Sequence, residues 1–114
     1  MDDAIRAFMT FLELERHASH ETVRSYVSDL RQFQAFMSAY HPGMPTFDPV
    51  TVKTESIRAY LHWLDRKREK STSMARKLAS LRSFYRYLQR KGMVGLNPAE
   101  AIRNRSAPLA ARFC

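Results

Sequence analysis

At 114 residues and 45% hydrophobic content the chain is long enough for one domain with a real core, which excludes a disordered polycation. Cys114 is the lone cysteine, which excludes an intramolecular disulfide and a cysteine-based zinc knuckle and fits a reducing cytoplasm. The net charge of +8 is concentrated: residues 66–91 hold ten Lys and Arg against one acid, Glu69, so this quarter carries +9 and the remainder −1. A field gathered in this way points to an anionic partner rather than to a solubility device.

The first helix is predicted from Asp2 to Arg16, where Ile5, Phe8, Met9 and Leu12 recur at helical spacing and early acids suit the dipole. "HASHETV" breaks it, with Ser19 as N-cap of a second helix from His20 to Tyr40. Its buried stripe is Val23, Tyr26, Val27, Leu30, Phe33 and Met37, with Phe36 at the edge. "HPGMPTFDP" holds three prolines and a glycine and interrupts the chain; the connection from His41 to Lys53 is also a candidate contact loop. A third helix from Thr54 to Arg68 buries Ile57, Tyr60, Leu61 and Leu64. The fourth, from Thr72 to Lys91, ends at Gly92 as C-cap, and a short fifth turn or helix begins at Pro98. The expected fold is therefore all-α, a compact bundle of four main helices. No run reaches the roughly 18 apolar residues that cross a bilayer, and "MDDAIRAFMTF" starts acidic, unlike a secretory signal.

At about 100° per residue the fourth helix separates into faces. Met74, Leu78, Leu81, Tyr85 and Leu88 form a buried stripe flanked by Phe84. Opposite lie Thr72, Arg76, Ser80, Ser83, Tyr87 and Arg90, with Arg82, Arg86 and Gln89 on one flank and Lys77 and Lys91 towards the other. Small side chains let a helix approach base edges, and arginine reaches guanine or phosphate with two prongs. The first turn also offers backbone N–H groups to a phosphate, and no acidic capping residue opposes the positive end of the helix. A basic surface helix is often only a solvated face, but such a helix usually intersperses Glu to pair its cations, and here none is present. Duplex DNA is favoured over RNA because the major groove of B-form admits a helix. On the second helix Arg24, Ser28 and Arg31 supply a second polar row, so that two crossed helices would embrace one duplex. A protein-interaction module docking an acidic partner, and an RNA-binding adaptor, are the alternatives.

No catalytic constellation is evident. His17, His20, His41 and His62 lack metal-ligand spacing, and neither a phosphate-binding glycine loop nor an activated tyrosine is visible. No catalytic residue, cofactor, metal, small-molecule substrate or membrane partner is expected.

Four fragments in order carry a family resemblance. "FLELERHASHETVRSYVSDLRQFQAFM" matches a pattern in which Ser19, Thr22, Val23, Tyr26, Asp29, Leu30 and Phe33 fall in place; "IRAYLHWL" follows; then come "SMARKLASLRSFYRYLQRKG" and a closing "NPA". Over about residues 8 to 103 the chain resembles the amino-terminal core-binding, SAM-like domain of tyrosine recombinases of the Xer and phage-integrase group. The resemblance implies a helical bundle that closes over one side of a recombination site with its second and fourth helices in the major groove. It implies contacts from Ser19, Thr22, Arg24, Ser28 and Arg31, and from Thr72, Arg76, Lys77, Ser80, Ser83 and Arg86, with Asp29 structural; the charge pattern adds Arg90 at the electropositive margin. It further implies a separate catalytic domain, absent from this sequence, which would make a full-length protein a site-specific recombinase serving integration or chromosome partition. Self-association on DNA and a bacterial cytoplasmic location at the nucleoid are implied too. The closing "RNRSAPLAARFC" departs from the family's Pro-Lys-rich linker, so residues 1–103 read as the DNA-binding domain and 104–114 as a tail or truncated linker. The expected activity is a clamp, mainly on phosphates, with limited base readout from the fourth helix.

Overall fold

The structure, a computed structural model, describes residues 2–40 and 48–102, which form four α-helices with no strand among them. They are α1 (Asp2–Leu14), α2 (His20–Tyr40), α3 (Thr54–Arg66) and α4 (Ser71–Arg90), with a 3₁₀ turn at Pro49–Thr51. The expected all-α class and the four helices hold. Residues 41–47 of the candidate contact loop, and the tail from 103 on, lie outside the described residues. Packing divides the chain into two units, Met1–Thr51 and Val52–Cys114.

In the first unit α1 packs on α2 through an apolar stripe. Ile5, Phe8 and Leu12 of α1 are buried, as are Val23, Leu30, Phe33, Phe36 and Met37 of α2. The Phe8 ring meets Tyr26 edge-on at 5.7 Å, a favoured aromatic geometry. Phe36, expected at the edge, is buried, whereas Tyr26 and Val27 are half-buried. α1 ends two residues earlier than expected because the chain turns through His17 in the left-handed region, at φ 50°. Ser19 then caps α2 as expected: its Oγ accepts the Thr22 N–H at 3.1 Å and donates to the Thr22 hydroxyl at 2.9 Å.

In the second unit α3 packs on α4. Ile57, Tyr60 and Leu64 are fully buried on α3, and Leu81, Phe84, Tyr85 and Leu88 are their deeply buried counterparts on α4. Both helices finish in the same hydrogen-bonded motif. At the end of α4 the Gly92 N–H bonds to Gln89 O and the Met93 N–H to Leu88 O, with Gly92 at φ 75°. At the end of α3 the Arg68 N–H bonds to Asp65 O and the Glu69 N–H to Leu64 O, with Arg68 at φ 63°. The motif stops α3 at Arg66 rather than at Arg68. Pro98 opens a turn rather than a fifth helix, held by the Glu100 N–H on Asn97 O and the Ile102 N–H on Ala99 O.

Candidate nucleic-acid interface

α4 has no acidic residue from Ser71 to Arg90, and its N-cap residue, Lys70, makes no side-chain capping bond. Lys70 is extended at φ −66° and ψ 146°. The positive end of the helix dipole is therefore unopposed by an acid in the first turn. Arg66, Lys67, Arg68 and Lys70, all exposed, stand immediately before that turn. These four belong to the basic run, and their signal in the sequence is the charge count alone.

The buried face of α4 is wider than the expected stripe. Lys77, Leu78, Ser80, Leu81, Phe84, Tyr85, Tyr87 and Leu88 are buried, about half the circumference at roughly 100° per residue. Two residues expected on the outer face are thereby corrected: Ser80 is 2% exposed and Tyr87 is 7% exposed. The cause is Phe84, which is fully buried. Ser80 lies four residues before it and Tyr87 three after it, so burying Phe84 draws both neighbours inward. Lys77 is corrected as well, because its stem is buried and its ammonium lies 3.4 Å from Glu69 Oε2. The exposed residues of α4 are Ser71, Thr72, Arg76, Ala79, Arg86, Gln89 and Arg90, with Ser83 half-buried beside them.

Arg24, Ser28 and Arg31 are exposed on α2, as are Ser19 and Thr22 at its start. The last two are engaged with each other in the cap, so a phosphate there would compete with that pair. Asp29 is buried, at 3% exposure, in keeping with a structural role.

The flank of α4 at 82, 86 and 89 meets the segment that follows the helix. Arg82 Nε donates to Ala99 O at 3.3 Å and Nη2 donates to Ile102 O. The Asn97 amide nitrogen donates to Arg82 O at 3.2 Å, and Asn97 Oδ1 accepts the Ala99 N–H at 2.9 Å. Gln89 donates to Gly95 O at 3.1 Å, and Thr54 to Pro98 O at 2.9 Å. Arg86 lies 3.9 Å from Glu100, both well exposed, a pair weak enough to yield to a phosphate.

A shallow open trough of about 640 Å³ runs along Val52, Thr54, Gln89, Leu96 and Pro98. Leu96 and Met93 are 84% and 50% exposed. Among the described residues no three His, Cys, Asp or Glu side chains gather as a metal site, and no helix is long and apolar enough to cross a membrane.

The model of the phage integrase N-terminal SAM-like domain matches residues 5–92. Tyrosine recombinase XerC of Syntrophus aciditrophicus is 39% identical over 110 residues, covering 90% of this chain and 34% of the relative. XerC of Lacticaseibacillus casei is 46% identical over 98 residues, covering 86% of this chain and 32% of the relative. XerD of Listeria monocytogenes is 34% identical over 98 residues, covering 86% and 32%. The chain thus spans about a third of the length of these curated relatives. No solved structure matches it. The match begins within α1 and runs through the Gly92 that closes α4, and the chain belongs to the phage integrase N-terminal SAM-like domain family.

Proposed function

We propose that this chain binds duplex DNA as the non-catalytic, core-binding part of a tyrosine recombinase, residues 1–103 serving as the DNA-binding domain. The observation that carries the reading is the solvent face of α4: Thr72, Arg76, Ala79, Arg86 and Arg90 on a helix without a single acid, entered through four exposed cations. Arginine beside small residues suits a major groove, and the acid-free first turn suits a phosphate. Arg24, Ser28 and Arg31 on α2 supply phosphate contacts of their own, as do Ser19 and Thr22 when their mutual pair opens. Ser83 lies at the margin, whereas Lys77 and Ser80 act through packing. Affinity is dominated by phosphates, so the chain positions a site and leaves cleavage and rejoining to the rest of a longer protein, working in the bacterial cytoplasm on nucleoid DNA and self-associating there.

The test is a fluorescence-anisotropy titration of the 114-residue protein against a 30-bp duplex across a salt series. Arg76→Gln and Arg86→Gln should each weaken binding and lower the slope of log K against log salt by about one. Wild-type protein without salt-dependent affinity for duplex would sink the reading, as would variants with unchanged slopes. Exposed Leu96 and Met93 favour a protein-docking module as the second reading, which requires duplex affinity independent of Arg76 and Arg86. Tighter binding to single strands or to A-form duplex would favour an RNA adaptor.

A further inference from the structure

The segment from Gly95 to Ile102 is neither helix nor strand, yet Asn97, Pro98, Ala99 and Ile102 are buried. Buried backbone outside a regular element needs partners for its carbonyls, and here side chains of the two helices provide them. Gln89 takes Gly95 O, Thr54 takes Pro98 O, and the single fork of Arg82 takes both Ala99 O and Ile102 O. Asn97 closes the loop in the reverse direction, from its amide to Arg82 O. A guanidinium suits this task because its donors are rigid and splayed; an ammonium is a point donor on a flexible stem. Arg82 therefore differs from the arginines on the solvent face of the same helix. Its guanidinium meets main-chain oxygens nine and twelve residues beyond the end of α4.

We infer that Arg82 is a positioning residue: it fixes the point and direction in which the chain leaves α4, so that whatever is joined beyond residue 102 is oriented relative to that helix. The inference deepens the proposed function and rests on it, since the orientation matters because α4 is the helix placed on DNA. In a recombinase of which this chain is about a third, the Arg82 fork would transmit the seating of α4 on a duplex to the remainder of the protein.

The experiment compares wild type, Arg82→Gln and Arg82→Lys in the 114-residue protein. Hydrogen exchange reads the anchor: in Arg82→Gln the Ala99 and Ile102 amides should exchange about tenfold faster, the order expected from losing a charge-assisted hydrogen bond, while the Leu64 and Leu81 amides keep their protection. Arg82→Lys should fall between the two. A nitroxide on Ala101→Cys, placed in a Cys114→Ala background, reads direction. With Arg82 present, paramagnetic broadening should fall on a restricted set of α3 and α4 amides, and with Arg82→Gln it should spread and weaken. The duplex salt slope should stay at its wild-type value. A slope lower by about one would make Arg82 a phosphate contact and overturn the inference. So would unchanged exchange at Ala99 and Ile102, or a uniform loss of protection throughout α3 and α4. If wild type shows no salt-dependent duplex binding, the DNA reading fails, and the exchange and broadening data still decide the anchor.

Discussion

The joint between α3 and α4, residues 66–70, and the exit segment, residues 95–102, are both short connectors of the second unit, yet they treat polar groups in opposite ways. At the joint, Arg66, Lys67, Arg68 and Lys70 are exposed, and Glu69 turns back to Lys77 at 3.4 Å. At the exit, Asn97 is buried and main-chain carbonyls accept from Thr54, Arg82 and Gln89. The difference lies in backbone accounting. The joint closes its own helix end with main-chain bonds to Leu64 and Asp65, so its cations stay outside. The exit makes two turn bonds of its own, Glu100 N–H to Asn97 O and Ile102 N–H to Ala99 O, and recruits side chains for further bonds to its carbonyls. Arg82 thus serves as an anchor because main-chain carbonyls of a folded-back segment lie within its reach, whereas Arg66 and Arg68 stay exposed at a joint that closes itself.

The largest expected effect removes the helix that both regions share. Leu81→Ala, at a position 1% exposed, should lower unfolding free energy by about 2–5 kcal/mol in urea denaturation, loosening joint and exit together. A stable Leu81→Ala that has lost duplex binding would mean that the faces of α4 are reversed. A smaller effect separates the two regions. Asn97→Ala takes a donor away from Arg82 O and strands the Ala99 N–H, and should cost about 1–3 kcal/mol. Its signature is faster exchange at Ala99 and Ile102 with the Arg68 and Glu69 amides unchanged; equal loss at the joint would erase the distinction between the regions.

Helix identity was legible because apolar spacing, Ser19 and Gly92 all pointed the same way; α2 has the predicted limits, and α4 differs by one residue at each end. The faces of α4 were half legible. A single stripe at steps of three and four left Phe84 at its flank and set Ser80 and Tyr87 on the opposite face, whereas all three are buried. Periodicity measures where apolar residues cluster, not how wide an arc the packing covers. The pairing of Lys77 with Glu69, and the fork of Arg82 on Ala99 and Ile102, were invisible for another reason. Both depend on how a connector folds back, and no local pattern encodes that return. The charge count located the basic quarter correctly but assigned Lys77, an interior cation, to the same class as Arg86.

The smallest prediction concerns the one place where the joint carries strain that the end of α4 avoids. Arg68 and Gly92 hold the same position in the same terminal motif, at φ 63° and 75°. A side chain in the left-handed region costs about 1–2 kcal/mol, which glycine escapes at the expense of greater freedom when unfolded. Arg68→Gly should therefore raise unfolding free energy by about 0.5–1 kcal/mol, whereas Arg68→Gln, with the charge gone and the Cβ kept, should not. Both should lower the duplex salt slope equally if the cation meets a phosphate, since that term depends on charge and not on backbone. A gain in stability with a loss of slope would mean that the joint keeps a strained arginine for the sake of its charge. A gain in Arg68→Gly with no change in slope would remove the joint from the DNA surface and leave that surface to the solvent face of α4.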